Sequence, residues 1–231
     1  MKSYNLELLK LSGLDFVFKN NLKKQAITPS LTSTSQGNNL PQTPQPTLDS
    51  LENQYSNCTK CPLSESRNHF VYGEGNPHAK VMLIGEGPGA KEDATGKVFI
   101  GPAGELLTKM LAAININRED IYITNIVKCR PPQNRDPFPA EKEACLPYLL
   151  EQIELIKPKV LILLGKVAAS TLLKDHEGTT LNSFRNKEFY FHKIRTFVTY
   201  HPAALLHNAE YKLPAWHDLQ HIQNYLISNE Q

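Results

Sequence analysis

The chain has 231 residues, enough for one domain with a real core plus extra segments and short for two full domains. Its 25 basic and 23 acidic residues leave a net charge of +2, a balance that neither demands nor excludes a nucleic-acid partner. No stretch reaches the roughly 18 consecutive apolar residues of a membrane-spanning helix, so no membrane role is expected.

Residues 1–24 form an apolar segment (Leu6, Leu8, Leu9, Leu11, Phe16, Phe18) broken by Glu7, Lys10, Asp15 and Lys19. No small-residue cleavage site follows, which argues against a secretory signal and makes the cytoplasm the expected location. The segment fits either a short helix folded back on the body or a peptide that docks on a protein partner. Residues 25–48 carry no charge and no aromatic ring and are rich in Pro, Gln, Ser, Thr and Asn. Such a composition buries too little surface to offset its ordering entropy, so a disordered linker is expected. The main domain is expected over 49–231.

Within it, Lys80–Gly85 is a short apolar run ending in glycine, as a buried parallel strand does. Helical spacing follows over Ala103–Ile114. Ile121–Val127 is β-branched and aromatic and reads as a strand. Pro139–Ile156 reads as a helix, Val160–Gly165 as another buried strand, and the stretch through Lys174 as a helix. Arg195–Tyr200 is a further strand, and Leu213–Ile227 a closing helix. The alternation predicts a three-layer α/β sandwich, with a mostly parallel four-stranded central sheet flanked by helices. In such sheets ligands bind at the carboxyl ends of the strands. Four groups fall there: the Gly-rich turn GEGPGAKED (Gly85–Asp93), Asn125, Gly165-Lys166 and His201-Pro202. They predict one composite site.

The four cysteines are a C-x-x-C pair, Cys58 and Cys61, then Cys129 in the Pro-rich loop KCRPPQNRDP, then Cys145 about one helix later. A C-x-x-C pair is a common clamp for a metal. Spacing leaves three readings open: a four-cysteine zinc site, an iron–sulfur cluster, or unrelated buried thiols or a redox C-x-x-C. The wide gap between the pair and the later cysteines matches neither a compact zinc ribbon nor a ferredoxin run. The role expected is structural, because the cysteines lie outside the composite pocket.

Taken in order, GEGPGAKED, KVFIGPAGELL, YITNIVKCRPPQNR and HPAALL resemble the family 4 uracil-DNA glycosylases over nearly all of residues 55–226. The resemblance implies an enzyme that flips uracil out of DNA, hydrolyses its N-glycosidic bond and leaves an abasic site in base-excision repair. It implies uracil-containing DNA as substrate, and one 4Fe–4S cluster held by Cys58, Cys61, Cys129 and Cys145. It implies that Glu86 helps handle water, that the backbone at Gly87 contacts uracil, and that Glu92 walls off C5. It further implies that Phe99 stacks on the flipped base, that Asn125 reads its edge, and that His201 is the catalytic histidine near O2. The HPAALL loop, with Leu205 and Leu206, is then the segment that enters the duplex. Two positions depart from many relatives: Val98 stands where a proline precedes the aromatic, and His207 where an arginine follows the leucine pair. The protein is expected to be a monomer.

These residue types suit the chemistry. An Asn amide can accept from uracil N3–H while donating to O4, a pairing that cytosine mismatches twice. Thymine differs by one methyl and must be rejected by shape, which Glu92 can supply. A donor at O2 stabilises the departing uracil anion as an oxyanion hole does, and His201 is the natural donor. Glu86 can orient the water, with Glu92 and Asp93 as rivals. Phosphates can be held by Gly165-Lys166 opening a helix, with Lys128, Arg130, Arg135 and Arg185 as further cations. Two other classes stay open on residues alone. One is a nucleotide-binding enzyme built on GEGPG, which lacks the GxxxxGK[ST] pattern. The other is a non-catalytic four-cysteine DNA-binding module.

Overall fold

A computed structural model describes residues 46–173 and 180–229. The N-terminal segment and most of the linker, residues 1–45, lie outside the described residues. The last linker position, Leu48, is already helical: Thr47 caps helix α1 (Leu48–Tyr55), accepting from Ser50 N while Ser50 reaches back to the Thr47 N–H. A short α2 (Leu63–Ser66) follows.

The expected α/β sandwich is present, with six strands rather than four. They are β1 (Glu74–Gly75), β2 (Val81–Gly85), β3 (Tyr122–Asn125), β4 (Val160–Leu164), β5 (Phe189–Phe191) and β6 (Ile194–Thr199), in the order β1-β3-β2-β4-β6-β5. The four strands expected from sequence are parallel to one another. The two extra ones, β1 and β5, are short antiparallel edges. A two-residue or three-residue strand is too brief to carry a period-2 signal, which is why both escaped the sequence reading.

Helix α3 (Ala90–Thr95) and helix α4 (Pro102–Ala112) connect β2 to β3, and α5 (Pro139–Ile156) connects β3 to β4. Helix α6 (Gly165–Leu173) leaves β4 directly, and α7 (Leu181–Phe184) precedes β5. The chain ends with α8 (Pro202–His207) and α9 (Lys212–Ser228). Strand residues alternate between two cores. Met82, Ile84, Leu161 and Leu163 pack with Leu149 and Ile153 of α5 and Ala168 and Ala169 of α6. Val81, Leu83, Ile162 and Leu164 pack with Leu107 and Leu111 of α4 and Leu219 and Ile222 of α9. This period of two makes three layers. From the central β2 the chain runs first to β3 on one side and later to β4 on the other. The ends of β2 and β4 therefore form the switch point where such sheets open a crevice. Among the described residues no helix is long and apolar enough to cross a membrane.

Candidate active site

A cleft of about 380 Å³ opens at that switch point, lined by Glu86 after β2, Gly165 and Lys166 after β4, Tyr200 and His201 after β6, and Asp136 from the loop after β3. Phe99, Asn125 and His201 meet beside it. The Phe99 and His201 rings lie 5.5 Å apart, and Phe99 and the Asn125 amide both press on Gly85, where any side chain would strike them. Gly165, at φ +90°, takes a conformation that favours glycine, and a Cβ there would sit 3.0 Å from His201 Cβ.

Phe99 itself has φ +48°, a strained setting for a bulky residue. Two devices hold it. The Phe99 carbonyl lies against Gly104, where no Cβ fits. Beyond it, Glu92 Oε1 accepts from the N–H groups of Ile100 and Gly101, both at 2.9 Å. This carboxylate clamps the start of α4. Asp93 is committed too, accepting from Asn68 N, Asn68 Nδ2 and His69 N. Of the three carboxylates weighed for water, Glu86 alone makes no hydrogen bond among the described residues. Burial, and then the nearby Asp136, push it up to about 7, against the pull of Lys142.

His201 caps α8, its Nδ1 accepting from Ala203 N at 3.2 Å. That bond leaves the proton on Nε2. Burial lowers its pKa to about 4, with Glu92 pulling the other way, so the ring is a neutral donor at pH 7. Asn125 ends β3 with 1% of its surface exposed, and its Oδ1 has no hydrogen-bond partner. A buried acceptor left unpaired costs on the order of 1–3 kcal/mol. A water, an ion or a ligand can complete the bonding of such a group.

Several expected DNA contacts are placed otherwise. Arg185 is an internal strut: it bonds Asp218 twice, at 2.8 and 3.0 Å, and also Pro214 O, Asn182 Oδ1 and Tyr200 Oη. Lys128 is fully buried. Arg135 pairs with Glu141, and Arg130 bonds Asn134. Lys166, by contrast, is exposed at the cleft with no partner among the described residues. Leu205 is buried at 3% exposure, whereas Leu206 beside it is 48% exposed. One helical step turns the first into the core and the second outward, so only Leu206 faces solvent. The site residues missed by sequence reasoning are Asp136 and Tyr200. Both lie next to motifs already singled out and carry no spacing signal of their own.

The four cysteines are free thiols gathered on one side of the domain. Three of them lie close enough to others to be coupled electrostatically: Cys61 to Cys58, Cys129 to Cys58 and Cys61, and Cys145 to Cys61 and Cys129. Burial pushes the Cys145 thiol up to about 12. Donors point at three of the sulfurs. Arg67 reaches Cys129 Sγ at 3.2 Å, Tyr148 Oη reaches Cys58 Sγ at 3.0 Å, and the Lys128 N–H reaches Cys145 Sγ at 3.2 Å. Among the described residues no three His, Cys, Asp or Glu side chains converge to hold a single metal ion. Three sulfur-directed donors suit the negative charge of thiolates holding a metal or a cluster.

The uracil DNA glycosylase superfamily model matches residues 72–220. The chain is 44% identical over 169 residues to the type-4 uracil-DNA glycosylase of Archaeoglobus fulgidus, covering 71% of this chain and 85% of that protein. It is 43% identical over 188 residues to the type-4 enzyme of Saccharolobus solfataricus, covering 78% and 87%. It is 41% identical over 166 residues to that of Thermotoga maritima, covering 72% and 86%.

Proposed function

We infer the working of this site from one premise: the chain belongs to the uracil DNA glycosylase superfamily and, within it, to the type-4 uracil-DNA glycosylases. It is a DNA glycosylase, a hydrolase of N-glycosyl bonds that releases uracil from DNA in repair. The observation that carries the residue-level reading is the buried, unpartnered Oδ1 of Asn125 at the strand end beside Phe99.

The target base must leave the duplex stack before it can be read. Phe99 offers a ring face to it, and base–aromatic stacking recovers about 1–3 kcal/mol of the unstacking cost. Asn125 Oδ1 accepts from uracil N3–H and its NH₂ donates to O4. Gly87 brings its backbone close to the base. Glu92, held by Ile100 and Gly101, forms a wall at C5 that cannot swing away from a thymine methyl. The C1′–N1 bond then breaks and its electron pair leaves with uracil, delocalised onto O2. The neutral His201 donates from Nε2 to that oxygen. Glu86 orients a water whose oxygen bonds to C1′, and the carboxylate takes the proton released. The water thus becomes the hydroxyl of the abasic sugar. Lys166 at the cleft mouth holds phosphate, and Leu206 enters the space the base vacates.

Cys58, Cys61, Cys129 and Cys145 would hold a 4Fe–4S cluster. When bound, it supplies a covalent cross-link between the α1–α2 segment, the loop after β3 and α5. Protein with iron and sulfide at one cluster per chain and absorption near about 400 nm fits this role; one zinc and no sulfide contradicts it. Free thiols and a DNA substrate suit a cytoplasmic enzyme, and a cleft complete within one chain suits a monomer. The activity is tested by incubating the protein with a uracil-containing oligonucleotide and treating with alkali. Cleavage at the uracil position is expected, and intact strands would overturn the reading.

A further inference from the structure

Lys128 is expected at the surface on its residue type, yet it is fully buried in the segment between Asn125 and Cys129. Its side-chain nitrogen meets three acceptors: Asn125 O at 2.9 Å, Gln152 Oε1 at 2.6 Å, and Thr124 Oγ1. Gln152 and Thr124 are themselves anchored, each bonding the carbonyl of Tyr72, at 2.9 and 2.8 Å. Gln152 also bonds Tyr122 Oη. The main chain of Lys128 is tied down as well. Its carbonyl accepts from Val71 N at 2.8 Å and its N–H meets Cys145 Sγ.

At the end of β3 the Ile126 and Val127 N–H groups still bond back to the Gly85 and Glu86 carbonyls. The Asn125 carbonyl is taken by the lysine instead. The residue that presents its amide to the base is therefore held from behind by one side chain. That side chain belongs to the same residue whose backbone touches a cysteine sulfur.

We propose that Lys128 is a positioning residue for base recognition, fixing the main chain of Asn125 so that its amide meets the uracil edge. The assignment rests on Asn125 being the reader, and it needs no contact between Lys128 and DNA. Loss of the lysine amine frees the strand end, leaves Thr124 Oγ1 without a donor and leaves Gln152 Oε1 with only the Thr124 hydroxyl at 3.2 Å, so the aim of the amide loosens even where the fold survives.

The test is a double-mutant cycle on the full-length protein, with inhibition of excision by free uracil as the readout. Iron content and melting temperature are measured on each sample. Lys128→Met is expected to weaken uracil inhibition about tenfold, the scale of one buried acceptor losing its partner. In the Asn125→Ala background the same change should weaken it no further, because there is no amide left to aim. Equal effects in both backgrounds would overturn the proposal, as would a lowered melting temperature with unchanged inhibition. Should Lys128→Met not fold, Thr124→Val removes one acceptor while keeping the shape. It is expected to weaken inhibition a few-fold in the wild-type background only, and no change would overturn the proposal. A wild-type protein that excises no uracil takes the parent reading down first and this one with it.

Discussion

Around the cysteines donors converge on sulfur: Arg67, Tyr148 and the Lys128 N–H each point at one. At the strand ends the pattern reverses. Asn125 Oδ1 is unpaired, the Glu86 carboxyl is held up to about 7, His201 is kept neutral, and Phe99 sits at φ +48°. A region whose polar groups satisfy each other gains stability from them. A region whose groups stay unsatisfied or strained loses stability and gains the means to bind something else. The two regions adjoin: only three residues separate Asn125 from Cys129, and Lys128 lies between them.

Substitutions on the two sides should therefore fail in different ways. His201→Ala removes the donor proposed at O2 and should slow single-turnover base release about 10²–10³-fold. Its stability should fall only by what a lost helix cap brings, about 1 kcal/mol. A large stability loss with the rate per folded molecule preserved would move His201 to the structural side. Arg185→Ala makes the opposite forecast. It strands a buried Asp218, so unfolding by denaturant should show a loss of about 3 kcal/mol, with DNA affinity of the folded fraction unchanged.

The pH profile sharpens the contrast. In the proposed mechanism Glu86 acts as a carboxylate, and its raised pKa means that form is gained as pH rises through about 7. Base release should drop about tenfold for each pH unit below that. His201, protonating only near 4, should add no limb between pH 5 and 8. The two groups act oppositely on stability. Burial of a neutral histidine costs stability as pH falls from 6.5 towards 4. Burial of the Glu86 carboxyl costs stability as pH rises from 4.5 towards 7. A rate independent of pH between 5 and 8 would remove Glu86 from the reaction. The smallest effect is expected at Lys166→Ala. It should lower the salt dependence of DNA binding by about one phosphate contact, a slope change near 0.9, with stability unmoved.

Much of this division is legible in the residues. The parallel strands announce themselves as short apolar runs, and the strand-end rule then gathers Glu86, Asn125, Lys166 and His201 from 116 residues of sequence. The edges β1 and β5 are not legible, being too short for any period. Neither are the fates of the cations. Arg185 and Lys166 look alike as isolated charges, and only the fold brings Asp218, 33 residues away, against the first of them. Lys128 hides for a related reason, since its acceptors include a carbonyl and Gln152, 24 residues on, and no carboxylate marks them. The outward turn of Leu206 and the inward turn of Leu205 depend on the phase of a six-residue helix, which no periodicity can set. Glu92 matches its motif, yet its bonds to Ile100 and Gly101 depend on a loop conformation that pattern alone does not contain.

The central claim is that uracil completes the bonding of Asn125. The most direct measurement compares single-turnover release of uracil and cytosine by Asn125→Asp and by the wild-type protein. Replacing the amide NH₂ by an oxygen sets an acceptor against O4 of uracil and offers one to the N4 amino group of cytosine. Release of uracil should fall and release of cytosine should become detectable, narrowing the ratio by about 10²-fold or more. An unchanged ratio in a folded Asn125→Asp protein would mean that another residue reads the base.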